Sequence, residues 1–132
     1  MARKVIQTDQ APAPVGPYNQ AIAATGTMVF LAGQVALDPA TGERVGGGDV
    51  EKETEQVMKN LEAVLAAAGA TFEHVVKTTV FLADMADFTK VNAIYAKSFN
   101  AETAPARACV QAARLPKDVK VEIECIAVIP NA

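Results

Sequence analysis

Histidine is almost missing from this chain: His74 is the only one in 132 residues. Two cysteines, Cys109 and Cys125, stand without CxxC spacing or histidine partners, so the ligand set of a zinc site is lacking and no metal is expected. The N-terminal run Met1-Ala2-Arg3-Lys4-Val5-Ile6 lacks the apolar core of a secretory leader. Without one, two cysteines read as reduced thiols, and a cytoplasmic location is expected. Nor does any stretch approach the about 18 apolar residues of a membrane span, so no membrane is expected as a partner. Basic runs are absent too. Twelve Lys and Arg stand against 15 Asp and Glu, a net charge of −3, which argues against nucleic acid as a partner. The triple glycine Gly46-Gly47-Gly48 lacks the lysine and the helix pattern of a P-loop, which removes phosphate binding there. There is no internal repeat and no low-complexity tract.

What is present suits one globular domain over residues 1–132. Half of the residues are apolar and a fifth are charged. Asp49 has the residue type of an N-cap. After it Val50, Thr54, Val57, Leu61, Val64, Leu65 and Ala68 recur at helical spacing, with Glu51, Lys52, Glu55, Lys59 and Glu62 on the remaining surface and Gly69 as the stop. A second helix opens at Asp84 or Asp87 and carries Phe88, Val91, Tyr95 and Phe99 on one face. Val75–Leu82 is rich in β-branched residues and reads as a strand. Met28–Leu37 reads as a strand buried on both faces, with Gln20–Ala24 as its hairpin partner across Thr25-Gly26. A short strand precedes the stiff segment Pro12–Pro17, and Ala106–Ala112 and Val119–Ile129 read as two strands around the turn Leu115-Pro116-Lys117-Asp118. The order β-β-β-α-β-α-β-β predicts an α+β fold in which two helices share one face of a mixed six-strand sheet. The opposite face is left uncovered and semi-apolar, which predicts an oligomer.

The last third carries the candidate chemistry. Period-two geometry puts Arg107, Cys109 and Gln111 on one face of a strand. An arginine flanked by small apolar residues is costly to bury unless an anion meets it, and its planar fork suits a carboxylate. The plain alternative is a salt bridge to Glu122 or Glu124 across a hairpin. Those two glutamates alternate with apolar residues and share a face. They form either a solvated edge or a carboxylate that activates water near Arg107. Cys109 has no neighbouring base, so its sulfur reads as packed and its backbone N–H as the better candidate. Cys125 reads as core. Tyr18 follows a rigid turn and closes over either a flat ligand or the end of the core. Gly33, inside an apolar strand, marks a bulge or a close backbone approach. Asn92 falls one residue off the helical stripe as a surface amide, and His74 reads as exposed and idle.

Taken together, Pro105-Ala106-Arg107-Ala108-Cys109-Val110 and Arg114–Glu124 resemble the signature of the reactive-intermediate deaminase (Rid, or YjgF) family. So do Ala13–Tyr18, Ala32-Gly33-Gln34, Val76–Leu82 and Val91–Tyr95, so the resemblance covers nearly the whole chain. It is nearest to the branch that hydrolyses imino acids. The resemblance implies a chorismate-mutase-like fold and a homotrimer, with sheets lining a central barrel and ligand pockets between subunits. It implies hydrolysis of 2-iminobutanoate and 2-iminopropanoate, products of pyridoxal-phosphate dehydratases, to 2-oxo acids and ammonia, a metabolite damage-control role in amino-acid metabolism. No metal or organic cofactor is implied. By position, Arg107 would bind the carboxylate, with backbone groups of Gly33 and Cys109 adding contacts. Glu122 would hold the hydrolytic water, Tyr18 would line the pocket and Asn92 would support it. Gln111 departs from relatives that carry glutamate there. The competing reading is a non-catalytic protein that binds a small carboxylate metabolite or regulates through it, sharing Arg107 but giving Glu122 no role in turnover.

Overall fold

Asp49 starts the first helix as its residue type predicts. Its side chain accepts hydrogen bonds from the N–H groups of Glu51 and Lys52, and α1 runs Val50–Ala67. Just past its end Gly69 adopts φ +79°, a left-handed turn that a side chain would resist. Val57, Leu61 and Leu65 are fully buried, each contributing about 1.5–3 kcal/mol of transfer free energy. Glu51, Lys52, Glu55, Lys59 and Glu62 are exposed, as the spacing predicts. Val64 is exposed at the margin of the stripe, whereas Met58 and Glu53 are buried. These features come from a computed structural model that describes residues 3–131. Met1, Ala2 and Ala132 of the expected domain lie outside the described residues.

The strands are β1 (Arg3–Ile6), β2 (Ala21–Ala24), β3 (Thr27–Gln34), β4 (Val75–Leu82), β5 (Ala106–Gln111) and β6 (Val121–Ile129), with α2 at Phe88–Tyr95. Their order along the chain is the expected one and the fold is α+β. The expected single six-strand sheet is divided, however. β1 and β2 pair with each other, and the remaining four strands form a sheet ordered β3-β6-β4-β5. β2 is therefore not the hairpin partner of β3. Gly26 between them marks a crowded crossing instead, because a Cβ there would strike the carbonyl oxygen of Ile129. β3 is an edge strand whose outer side chains are bare, not a strand buried on both faces.

A second correction matters more for function. β5 and β6 do not form a hairpin, because β4 lies between them. β5 runs parallel to β4, whereas β6 is antiparallel to it. A parallel pair cannot be closed by a tight turn, and the connection is made by α2. That crossover lays α2 over the face shared by β4 and β5.

Register fixes the faces. Thr78, Val80 and Leu82 of β4 and Val121, Ile123 and Cys125 of β6 are buried in the core with α1 and α2. Arg107 pairs with Thr78 and Cys109 with Val80, so both turn to the helix-covered face. Lys77, Thr79, Phe81, Glu122 and Glu124 alternate with the buried set and turn to the other face, together with Ala108 and Val110 of β5. On that bare face Phe30, Met28 and Val110 are 69%, 56% and 44% exposed. The two helices share one face, as expected, and the opposite face is semi-apolar.

Candidate functional site

Arg107 is half-buried at the edge of the sheet, under α2. Three aromatic rings surround its guanidinium: the Cζ atom lies 4.9 Å from the ring centre of Tyr95, 5.5 Å from Tyr18 and 5.6 Å from Phe88. These distances fall within the range of cation–π attraction. Nη1 donates a 2.5 Å hydrogen bond to Oδ1 of Asn92. Phe88, Asn92 and Tyr95 are spaced i, i+4, i+7, so one face of α2 supplies all three. Gly16 completes the enclosure, since a Cβ there would stand 3.2 Å from Nη2 of Arg107. The segment carrying Gly16 and Tyr18 is held by Asn19. Its backbone N–H donates to Pro105 O at 3.3 Å, and its buried amide donates to Ala104 O at 2.8 Å.

Among the described residues no carboxylate pairs with Arg107. The expected alternative of a salt bridge to Glu122 or Glu124 does not occur, for a topological reason. Glu122 pairs with Phe81, three positions along from the Arg107–Thr78–Cys125 row, and two strands away. At ordinary strand spacing the two backbones are roughly 14 Å apart, with their side chains on opposite faces. The turn at Leu115–Asp118 therefore does not bring them together.

The free edge of β5 adds a donor. Ala112 N–H donates to Leu82 O at 2.8 Å. Backbone groups alternate sides along a strand, so those of Ala108 and Val110 face β4 and those of Arg107 and Cys109 face outward. Cys109 thus presents its backbone N–H at the exposed edge, beside the guanidinium. Its thiol is pushed up by burial, which outweighs the downward pull of Arg107, so it stays protonated rather than becoming a nucleophile. Gln111 acts structurally, accepting the Met85 N–H at 2.8 Å.

Gly33 and Glu122 form a second corner. The β3–β6 register shifts between Leu31 and Gln34, so Gly33 lies in a bulge. A Cβ at Gly33 would collide with the Glu122 carboxylate, and only glycine lets that side chain lie against the bulge. Both expectations for this glycine, bulge and close approach, hold. The Glu122 carboxyl is raised above its ordinary value, first by burial and then by the like charge of Glu124.

The six sequence-predicted residues therefore fall into two groups. Arg107, Tyr18, Asn92 and Cys109 gather at the β5 edge, and Gly33 and Glu122 gather at the β3 bulge. Asn92 is not a free surface amide. His74 is not idle either, since its Nδ1 accepts the Thr71 N–H in a capping box. Cys125 is core, as expected. Tyr95 and Phe88 were legible only as part of the helical stripe, and nothing in the sequence signalled Asn19.

The chain matches a family model described as Endoribonuclease L-PSP over residues 8–129. It is 64% identical to the RutC family protein slr0709 of Synechocystis, covering 99% of this chain and 100% of that one. It is 54% identical to the 2-iminobutanoate/2-iminopropanoate deaminase of Mus musculus, covering 96% and 91%. Among solved structures it resembles E. coli TdcF with bound serine, at 44% identity and a TM-score of 0.71, covering 96% and 98%.

Proposed function

The chain belongs to the endoribonuclease L-PSP family, also known as Rid or YjgF, and on that premise we propose that it is a deaminase of 2-imino acids. One observation carries this reading: a caged guanidinium at a sheet edge, furnished with everything except a counter-ion. A half-buried fork of this kind favours a small carboxylate, and charge-assisted hydrogen bonds of that type contribute about 1.5–3 kcal/mol. A mouse relative named 2-iminobutanoate/2-iminopropanoate deaminase and a solved relative holding serine, itself a small amino-acid carboxylate, support the same class of ligand.

In the proposed reaction Arg107 and the Cys109 N–H hold the carboxylate while Tyr18 covers the planar imine. Glu122 takes a proton from water as the oxygen attacks C2. The proton then passes to nitrogen, the re-ionised Glu122 takes the hydroxyl proton as the C=O bond forms and the C–N bond breaks, and the products are a 2-oxo acid and ammonia. A protonated imine beside a carboxylate already has an electrophilic carbon, so orientation and one base suffice and no metal or organic cofactor is used. Cleavage of RNA suits the chain poorly, with its net charge of −3 and its single histidine engaged as a helix cap.

Glu122 cannot reach Arg107 within one chain. The active unit in this reading is therefore an oligomer, the homotrimer that the family resemblance implies, in which the β5 edge of one protomer meets the Gly33–Glu122 corner of its partner. The exposed Phe30, Met28 and Val110 support burial of the bare face by further copies. Among the described residues no helix is long and apolar enough to cross a membrane. The free cysteines suit a cytoplasmic role in clearing reactive imines.

The test is subunit complementation. Arg107→Ala and Glu122→Gln should each speed 2-oxobutanoate appearance in a threonine dehydratase reaction far less than the unsubstituted chain does. Unfolding and refolding the two variants together should restore activity at about a quarter of the sites, because some interfaces then pair an intact arginine with an intact glutamate. Full activity of either variant alone, or no recovery in mixed trimers, would refute this arrangement.

A further inference from the structure

Tyr95 is wholly buried, yet of the three rings it comes nearest to the guanidinium of Arg107. Its hydroxyl shares a buried 2.7 Å hydrogen bond with Oγ1 of Thr78, the residue paired with Arg107 on the neighbouring strand. Its other side is packed by Phe99, with ring centres 4.7 Å apart. The ring is thus fixed at both ends, and its face supports the cation from beneath. An acidic residue in the same place would also stabilise the guanidinium, but it would compete with any anionic ligand. An aromatic face stabilises the charge through its quadrupole without neutralising it.

We propose that Tyr95, through its ring face, is a positioning residue that holds Arg107 ready for the carboxylate while leaving its charge unspent. The inference rests on the carboxylate-binding role of Arg107. Burial pushes the Tyr95 hydroxyl up to about 12, opposed by the Thr78 hydrogen bond and by Arg107, so the phenol stays neutral through the working range and adds no counter-charge.

Two substitutions of nearly equal shape test this in the intact oligomer. Tyr95→Phe keeps the ring face and should leave KM for 2-iminobutanoate within about twofold. Tyr95→pentafluorophenylalanine keeps a planar ring, somewhat enlarged, but reverses the quadrupole, and should raise KM roughly three- to thirtyfold with kcat little changed. In an Arg107→Ala background the same exchange should have no further effect on kcat/KM. An unchanged KM in the fluorinated protein, or an equal added loss in the Arg107→Ala background, overturns the inference. A role in packing alone would give the fluorinated protein the same loss with or without Arg107. Should Arg107→Ala itself keep the normal KM, the carboxylate reading falls and this inference with it. If Arg107→Ala loses affinity but the fluorinated protein does not, only the inference falls.

Discussion

The β5 edge and the β3 bulge provide for their charges in opposite ways. Arg107 sits on the helix-covered face among three rings and an amide, supported but not neutralised. Glu122 sits on the bare face against a glycine, beside a second glutamate that raises its carboxyl further. The first corner suits holding a fixed anion. The second suits a base that must accept a proton and release it again. In the proposed reading, binding and chemistry are thus divided between two faces of one sheet, and a second protomer would bring them together.

Substitutions can break that division or sharpen it. The largest effect is expected from Glu122→Gln, which should lower kcat about a hundred- to ten-thousandfold while KM changes little, measured in the coupled dehydratase assay. A protein that only binds a carboxylate metabolite would show no rate to lose. Next is Gly33→Ala, whose added Cβ strikes the Glu122 carboxylate. It should cut kcat about tenfold, because small misplacements of a reacting group are costly. The counterpart at the other corner is Gly16→Ala, whose Cβ would crowd Nη2 of Arg107 at 3.2 Å. A side-chain tip can yield by a few tenths of an ångström, so a rise in KM of only about threefold is expected, without loss of kcat. If both glycine variants changed the same kinetic constant, the two corners would not have separate duties.

The smallest effect concerns pH. In the proposed mechanism Glu122 acts as a base only when ionised, so activity should be lost as pH falls through its raised pKa. Glu124→Gln removes a like charge and lowers that pKa, so the acid limb of the kcat profile should move to lower pH. A limb that stays in place would show that Glu122 is not the group titrating there.

Much of the local structure was legible because it depends on neighbours in sequence. Asp49 caps α1 and Gly69 follows its end because N-cap side chains and left-handed glycines act within one turn. The strand Val75–Leu82 was readable to the residue from its β-branched run. Gly33 betrayed its bulge because a glycine in an apolar strand has few other uses. The hairpin reading of β5 and β6 failed because a turn signal such as Leu115–Asp118 says that the chain reverses. It does not say whether another strand lies between the two arms. Asn92 looked like a surface amide because the residue it bonds is 15 positions away and on another element.

By itself the sequence determined the element order, the limits of α1, the family and the residue types at the site. All of these follow from local propensity, periodicity and motif. α2, by contrast, ends at Tyr95, short of the Phe99 that the stripe included. The tertiary structure alone decided that Arg107 lies beneath α2 while Glu122 lies on the bare face. Which strand enters between two others is set by long-range pairing and crossover geometry, and no short window of sequence contains it.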